Sequence, residues 1–263
     1  ERFEYMINKY FPKGNEFFPT KNLVSSTAEP IVAKLYGIQN FEIPKTTNFI
    51  YLGVLLQGEQ FYVKFKSKIS SSLKKVKETF SGSIEPEINE LISSIEIVKG
   101  ITLPSGWKYP HKMHKILWHC TTLYKGNVNF DKVRNKVEYK EFIEGKEIPV
   151  KILGLIYVPK KIIVSIIKLE GASSVNEFTH VTTFINGYPP KKANEVMKEV
   201  FGEKGNPAIK KVYNDKMNNE INTSTKDFIS MENIKIDEKN VKAYVVLYEQ
   251  ELELEGEMHA FEQ

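Results

Sequence analysis

The spacing of apolar residues in the first half of the chain predicts a strand, two helices and a second strand. "NFIYLGVLL" (48–56) is a nearly continuous apolar run, which favours a buried strand. In "SKISSSLKKVKETF" the apolar side chains recur at the spacing of one helical face: Ile69, Leu73, Val76 and Phe80. "EPEINELISSIEIV" has a proline near its start, where a first helical turn tolerates it. "HKILWHCTTLY" then predicts the next strand.

The second half loosely repeats this order. "EIPVKILGLIYVPKKIIVSIIKLEG" has two Ile/Val-rich arms around "PKK" and predicts a β-hairpin. "FTHVTTFI" predicts a further strand, "KKANEVMKEVFGE" a helix and "NVKAYVVLYEQELEL" a closing strand. Residues 204–230 are polar and rich in Lys and Asn, and they predict a mobile loop.

These elements indicate an α+β protein. We expect a two-lobed, pseudo-symmetric fold in which mainly antiparallel sheets line a central cleft and helices lie outside. No linker divides the halves, so residues 46–263 are predicted to form one domain, with lobes at about 46–130 and 131–263. Residues 1–45 are broken by four prolines, and they predict an N-terminal arm of short turns packed on the core.

Composition limits the class of protein. The chain has 263 residues, and no apolar run approaches the roughly 18 residues of a membrane span, so no membrane span is expected. A single cysteine, Cys120, excludes an internal disulfide and predicts a reducing compartment, cytoplasmic or nuclear. The net charge of +4 permits a polyanionic partner without requiring one.

One four-residue pattern occurs twice. "HCTT" (119–122) and "HVTT" (180–183) share a frame, although the chain has only five histidines. Side chains alternate between the faces of a strand, so His119 and Thr121 are predicted to share one face, and so are His180 and Thr182. If the two lobes face each other, a cleft would receive two imidazoles and two hydroxyls.

This set of groups suits acid–base chemistry at phosphorus. Because the imidazole pKa lies near neutrality, one ring can accept a proton while the other donates one. The threonine hydroxyls can donate to phosphoryl oxygens as negative charge develops. His111 and His114 lack Cys or acidic partners at ligand spacing, so no metal site is expected there. The residues favour attack by water on a phosphodiester.

Substrate contacts are predicted beside the two motifs. Tyr124 and Phe184 follow the motifs and could stack on a base, with core packing as the alternative. Lys125 and Tyr188 could contact phosphate, the latter within "NGYPPKK" at a predicted helix start.

The paired motifs resemble those of the two-histidine phosphoesterase superfamily, whose signature is two His-x-Thr/Ser motifs on strands of a two-lobed fold. "LWHCTTLYKG" and "FIYLGVLLQ" look particularly like the first motif and first strand of the myelin-type 2′,3′-cyclic-nucleotide 3′-phosphodiesterases. The cyclic phosphodiesterase domain of tRNA ligases is similar. The resemblance covers roughly residues 48–250.

The resemblance implies a hydrolase without metal or cofactor that converts 2′,3′-cyclic phosphates, in RNA ends or nucleotides, to 2′-phosphates during RNA repair or tRNA splicing. It implies that His119, Thr121, His180 and Thr182 are catalytic, and we assign His180 as base and His119 as acid. It also implies an RNA or cyclic-nucleotide partner and fusion to ligase or kinase domains. Two alternatives stay open: a 2′,5′-oligoadenylate phosphodiesterase and a non-enzymatic RNA-binding module.

Overall fold

The computed structural model describes most of the chain from residue 48 onward. Its strands are β1 (Asn48–Leu56), β2 (Trp118–Asn129), β3 (Glu147–Val158), β4 (Ile162–Leu169), β5 (His180–Ile185), β6 (Phe228–Ile236) and β7 (Lys239–Glu262). Its helices are α1 (Glu59–Thr79), α2 (Glu85–Glu96), α3 (Lys192–Phe201) and α4 (Pro207–Met217). The described residues are 48–56, 59–82, 84–96, 103–108, 118–129, 142–143, 145–219 and 226–262, with backbone alone at 48–51, 59–62, 96, 118–129 and 260–262. The predicted N-terminal arm, 1–45, lies outside them.

The described strands form one seven-stranded sheet in the order β2-β1-β7-β3-β4-β5, with β6 paired to β7 off this path. Each pairing between them is antiparallel. The 24-residue β7 organises the sheet, because it pairs with β3 on one side and with β6 and then β1 on the other. The predicted α+β class with mainly antiparallel strands is confirmed.

Helices α1 and α2 cover one face of the sheet. The helical stripe expected from the sequence is buried, with Ile69 at 1% exposure and Leu73 and Val76 at 0%. These side chains pack against strand residues of the same face, including Val54 of β1 and Val181 of β5. Burial of this apolar stripe, rather than helix propensity, is therefore what holds the Lys-rich α1 in place.

Helices α3 and α4 cover the other face and form a second core. Ala193, Val196 and Met197 of α3 are fully buried against β4 residues such as Val164 and Ile166. Two hydrophobic cores, one on each face, thus share a single sheet.

The prediction of a mobile loop over residues 204–230 is wrong for most of that range, because α4 and the start of β6 lie within it. Asn206 caps α4, since its side-chain oxygen accepts a hydrogen bond from the backbone N–H of Ala208 at 3.0 Å, and Pro207 opens the helix. Ile209, Tyr213 and Lys216 form its buried stripe. The polar composition hid this helix because only a narrow face is buried.

A break in strand register at Gly154 divides β3. The pairing of β3 with both β4 and β7 shifts between Ile152 and Gly154. A Cβ atom added at Gly154 would lie 2.3 Å from the carbonyl oxygen of Val246. Only glycine therefore allows this close approach of the β3 and β7 backbones.

Candidate active site

The second motif begins strand β5, and its pairing with β4 decides which way its side chains point. His180 lies opposite Ile166, and Thr182 lies opposite Val164. Both β4 residues belong to the core beneath α3 and α4, and directly opposed residues share a face of the sheet. His180 and Thr182 therefore share one face, and Val181 packs in the core beneath α1 and α2.

His180 is 7% exposed, and its ring has one fixed hydrogen bond. Its Nδ1 atom lies 2.8 Å from the carbonyl oxygen of Phe178. A carbonyl oxygen only accepts, so Nδ1 carries the proton of the neutral ring and Nε2 keeps its lone pair. Burial lowers the pKa of His180 below its ordinary value, and the hydrogen bond to Phe178 opposes this shift. The ring is thus held neutral, with Nε2 able to accept a proton.

Aromatic packing anchors the residue that supplies this carbonyl. The Phe178 ring lies with its centroid 6.2 Å from that of Phe201 on α3 and 6.0 Å from that of Tyr213 on α4. The imidazole orientation therefore depends on the second core. No motif in the sequence signals this contact, because it is made by a backbone atom.

The two threonines of the second motif have different surroundings. Thr182 is half-buried, and among the described residues its hydroxyl makes only a long contact, 3.4 Å, to the carbonyl oxygen of Pro190. Thr183 is fully buried, and its hydroxyl lies 2.8 Å from that of Ser165. Thr182 thus has a weakly held hydroxyl beside His180, whereas that of Thr183 belongs to a buried polar pair.

The backbone register of the first motif is irregular. His119 lies opposite Leu55 of β1, Thr121 lies opposite Val54, and the pairing shifts between these two positions. The predicted shared face of His119 and Thr121 assumed an uninterrupted strand. The side chains of His119, Thr121, Tyr124 and Lys125 lie outside the described residues, so their placement stays a prediction.

The two motif strands lie next to each other in space. β2 and β5 are at opposite ends of the strand order, yet Cα atoms of one come within 8 Å of Cα atoms of the other. The sheet therefore curves enough to bring its end strands together. Sequence separation alone would not have indicated this proximity.

Phe184 and Tyr188 are both largely buried. The β4–β5 pairing passes from Val164–Thr182 to Ile163–Phe184, which leaves Thr183 as the extra residue of a β-bulge. Phe184 consequently joins the core beneath α1 and α2 at 0% exposure, where it has no open ring face. Tyr188 is 9% exposed in the second core. Burial raises the pKa of its hydroxyl.

No three His, Cys, Asp or Glu side chains in the described part of the chain are grouped so that they could hold a metal ion. No helix within the described ranges is long and apolar enough to cross a membrane.

Comparison with known proteins gives no family assignment. No protein-family model matches the chain, and no curated protein matches it either. One of the solved structures that match is described as "Crystal Structure of Fungal RNA Kinase", at 11% identity and a TM-score of 0.39. The alignment covers 99% of this chain, which spans only 58% of that one. At this TM-score the match does not establish a shared fold.

Proposed function

We propose that this chain is a phosphodiesterase that hydrolyses 2′,3′-cyclic phosphates, at RNA ends or in nucleotides, to 2′-phosphates without a metal. The proposal rests on the repeated His-x-Thr-Thr pattern, the proximity of β2 and β5, and above all the state of His180. Its Nδ1 is occupied by the Phe178 carbonyl at 2.8 Å, which leaves Nε2 as the proton acceptor.

In the proposed reaction His180 is the general base and His119 the general acid. Nε2 of His180 removes a proton from water as the water oxygen forms a bond to phosphorus. The bond between phosphorus and the 3′ oxygen breaks, and protonated His119 donates a proton to that oxygen. The product has a 3′-hydroxyl and a 2′-phosphate. Thr121 and Thr182 donate hydrogen bonds to the phosphoryl oxygens as their negative charge increases.

Product analysis on a cyclic substrate tests this function. The protein is incubated with 2′,3′-cyclic AMP and with a short RNA ending in a 2′,3′-cyclic phosphate, in the presence of EDTA. The expected product in both cases is the 2′-phosphate. A 3′-phosphate product would contradict the proposed bond cleavage, and absence of turnover on both substrates would contradict the reaction class. A 2′,5′-oligoadenylate serves as the third substrate, and cleavage of it alone would favour the alternative phosphodiesterase.

Variants of the two histidines test their roles. His119→Ala and His180→Ala are each expected to lower kcat by about 100- to 10,000-fold, the usual contribution of a general acid or base. Because His180 is buried, the folded fraction of its variant is measured by thermal unfolding beside wild type, and the rate is expressed per folded protein. Lys204→Gln, at an exposed lysine beyond the far end of α3, is the matched control for substitution and purification, and it should keep the wild-type rate. Wild-type rates in both histidine variants would contradict the proposed roles of His180 and His119 as base and acid.

A further inference from the structure

Four lysines surround the turn that follows the second motif. Lys160 and Lys161 lie in the β3–β4 turn, Lys108 pairs with Ile185 at the end of β5, and Lys191 precedes α3. The carbonyl oxygen of Lys161 accepts the backbone N–H of Asn186 at 2.6 Å, which joins the β3–β4 turn to residues 186–191. We call Lys108, Lys160, Lys161 and Lys191 the lysine patch.

The charges of the lysine patch are not neutralised within the described residues. Lys108, Lys160 and Lys191 are exposed, Lys161 is half-buried, and none of the four forms an ion pair in the described part of the chain. Glu87 is the acidic residue in contact, and it accepts the backbone N–H of Lys160 rather than an ammonium group. The neighbouring Lys192, by contrast, is paired with Glu195 and Asp237. The surface therefore has a net positive charge.

The lysine patch lies beside the candidate catalytic residues. The carbonyl oxygen of Pro190, next to Lys191, is the group that contacts the Thr182 hydroxyl at 3.4 Å. Both backbone groups of Lys108 bond those of Ile185, at 2.7 and 2.9 Å, and Ile185 lies three residues after Thr182. At roughly 3.3 Å per strand residue, and with the bulge at Thr183 shortening the path, the separation of Thr182 and Ile185 is at most about 10 Å. Thr182 and the lysine patch are therefore close enough for a nucleic-acid strand ending at Thr182 to reach both within a few nucleotides.

The chemistry of the patch fits phosphates rather than bases. Among the described residues, the aromatic ring in contact with an ammonium group of the patch is that of Tyr188, whose centroid lies 5.2 Å from Nζ of Lys161. That ring is 9% exposed and so offers no stacking face. Ammonium groups without partners bind a phosphate backbone independently of sequence.

We infer that the lysine patch binds the phosphates upstream of the reacting one, so that the enzyme acts on the 3′ end of a single RNA strand in preference to a free cyclic nucleotide. This inference rests on the proposed function, because it takes Thr182 as the position of the reacting phosphate. It predicts strand binding without base preference and with strong salt dependence.

The test compares two triple variants of the whole chain. The patch variant is Lys108→Gln, Lys160→Asn and Lys191→Gln, in which asparagine suits the positive φ of Lys160, 55°. The control variant, Lys204→Gln, Lys239→Gln and Lys242→Gln, removes the same charge from exposed lysines elsewhere. We measure kcat/KM on a short RNA with a 2′,3′-cyclic end and on 2′,3′-cyclic AMP, and binding of the same RNA by fluorescence anisotropy.

Wild type and the control variant are expected to prefer the RNA. The kcat/KM of the patch variant should fall by at least about tenfold on the RNA and stay unchanged on cyclic AMP. Its slope of log binding constant against log salt should become shallower by ~2, near 0.7 for each lost phosphate contact on a single strand. Equal effects in both triple variants, or no preference for RNA, would overturn the inference while leaving the proposed function intact. If neither substrate is hydrolysed, the proposed function fails. Separately, equal RNA binding by the two triple variants would show that the lysine patch does not bind RNA.

Discussion

The Nδ1 atom of His180 lies 2.8 Å from the carbonyl oxygen of Phe178, and this contact fixes the tautomer of the ring. Nδ1 is the donor, so the neutral ring has its lone pair on Nε2. Burial lowers the pKa of His180 and keeps the ring in this form at neutral pH. The lowered pKa has one measurable consequence for stability and, under the proposed base role of His180, another for the rate.

Because of His180, the protein should become less stable as the pH falls below 6.5. The folded-state pKa of this group is lowered from its ordinary value of 6.5. As the pH falls below 6.5, the unfolded chain binds a proton that the folded chain does not, so the free energy of unfolding decreases by at most about 1.4 kcal/mol for each pH unit from this group. Urea unfolding at several pH values measures the decrease, and His180→Gln should reduce it. An identical pH dependence in the variant would show that His180 does not titrate in this way.

The pH dependence of the rate should assign the base. If His180 accepts the proton from water, the acidic limb of kcat/KM lies below pH 6.5, because its pKa is lowered by burial. The alkaline limb then belongs to the proton donor, His119, and the profile is bell-shaped. If the roles were reversed, activity would already decline as the pH rises towards 6.5. A rate profile on 2′,3′-cyclic AMP distinguishes these outcomes.

The two threonines of the second motif should separate activity from stability. Thr182→Val removes a weakly held hydroxyl, and we expect kcat to fall by about 100-fold, as for loss of one transition-state donor, with little change in unfolding. Thr183→Val leaves the buried Ser165 hydroxyl without its partner at 2.8 Å, so the free energy of unfolding should fall by about 1–3 kcal/mol.

The matched control for this pair is Thr183→Val combined with Ser165→Ala, which removes both hydroxyls and should recover part of the lost stability. Activity and urea unfolding are measured on these three variants and on wild type. If Thr183→Val lowered kcat as much as Thr182→Val did, the two hydroxyls would not have the distinct roles proposed from their contacts.

The cap of α4 should be worth a measurable amount of stability. Asn206→Ala removes the oxygen that accepts the Ala208 N–H at 3.0 Å, so we expect a loss of about 1 kcal/mol in urea unfolding. Asn206→Ser keeps a capping oxygen without placing a new charge beside Glu232 and should retain most of the stability. Equal losses in both variants would mean that the cap oxygen is not responsible.

The secondary structure was predictable where burial follows a simple period. The stripe containing Ile69 and Leu73 identified α1, and the Ile/Val-rich arms identified β3 and β4. Sequence reasoning does not find helix α4, although Asn206 and Pro207 form a cap and first-turn pair, because the helix is rich in Lys and one of its three buried side chains is itself a lysine, Lys216. Local composition misleads when one narrow face decides whether an element is stable.

The candidate site was only partly predictable. Alternation from His180 to Thr182 gave the correct shared face, because that stretch of β5 is regular. The bulge at Thr183 then moved Phe184 into a core, and no residue type in "HVTTFI" signals a bulge. Pairing with a neighbouring strand sets such irregularities, so the sequence of the strand alone does not encode them.

The sequence by itself determined the class of elements, the two His-x-Thr-Thr segments and their location on strands, since these depend on local periodicity and residue chemistry. Tertiary structure alone decided that β2 and β5 meet, that the Phe178 carbonyl holds Nδ1 of His180, and that four lysines gather around residues 186–191. Each of these depends on the curvature of the sheet and on backbone contacts between distant segments. Contacts made by backbone atoms leave little signal in the pattern of side chains along the sequence, so that pattern does not show where distant segments meet.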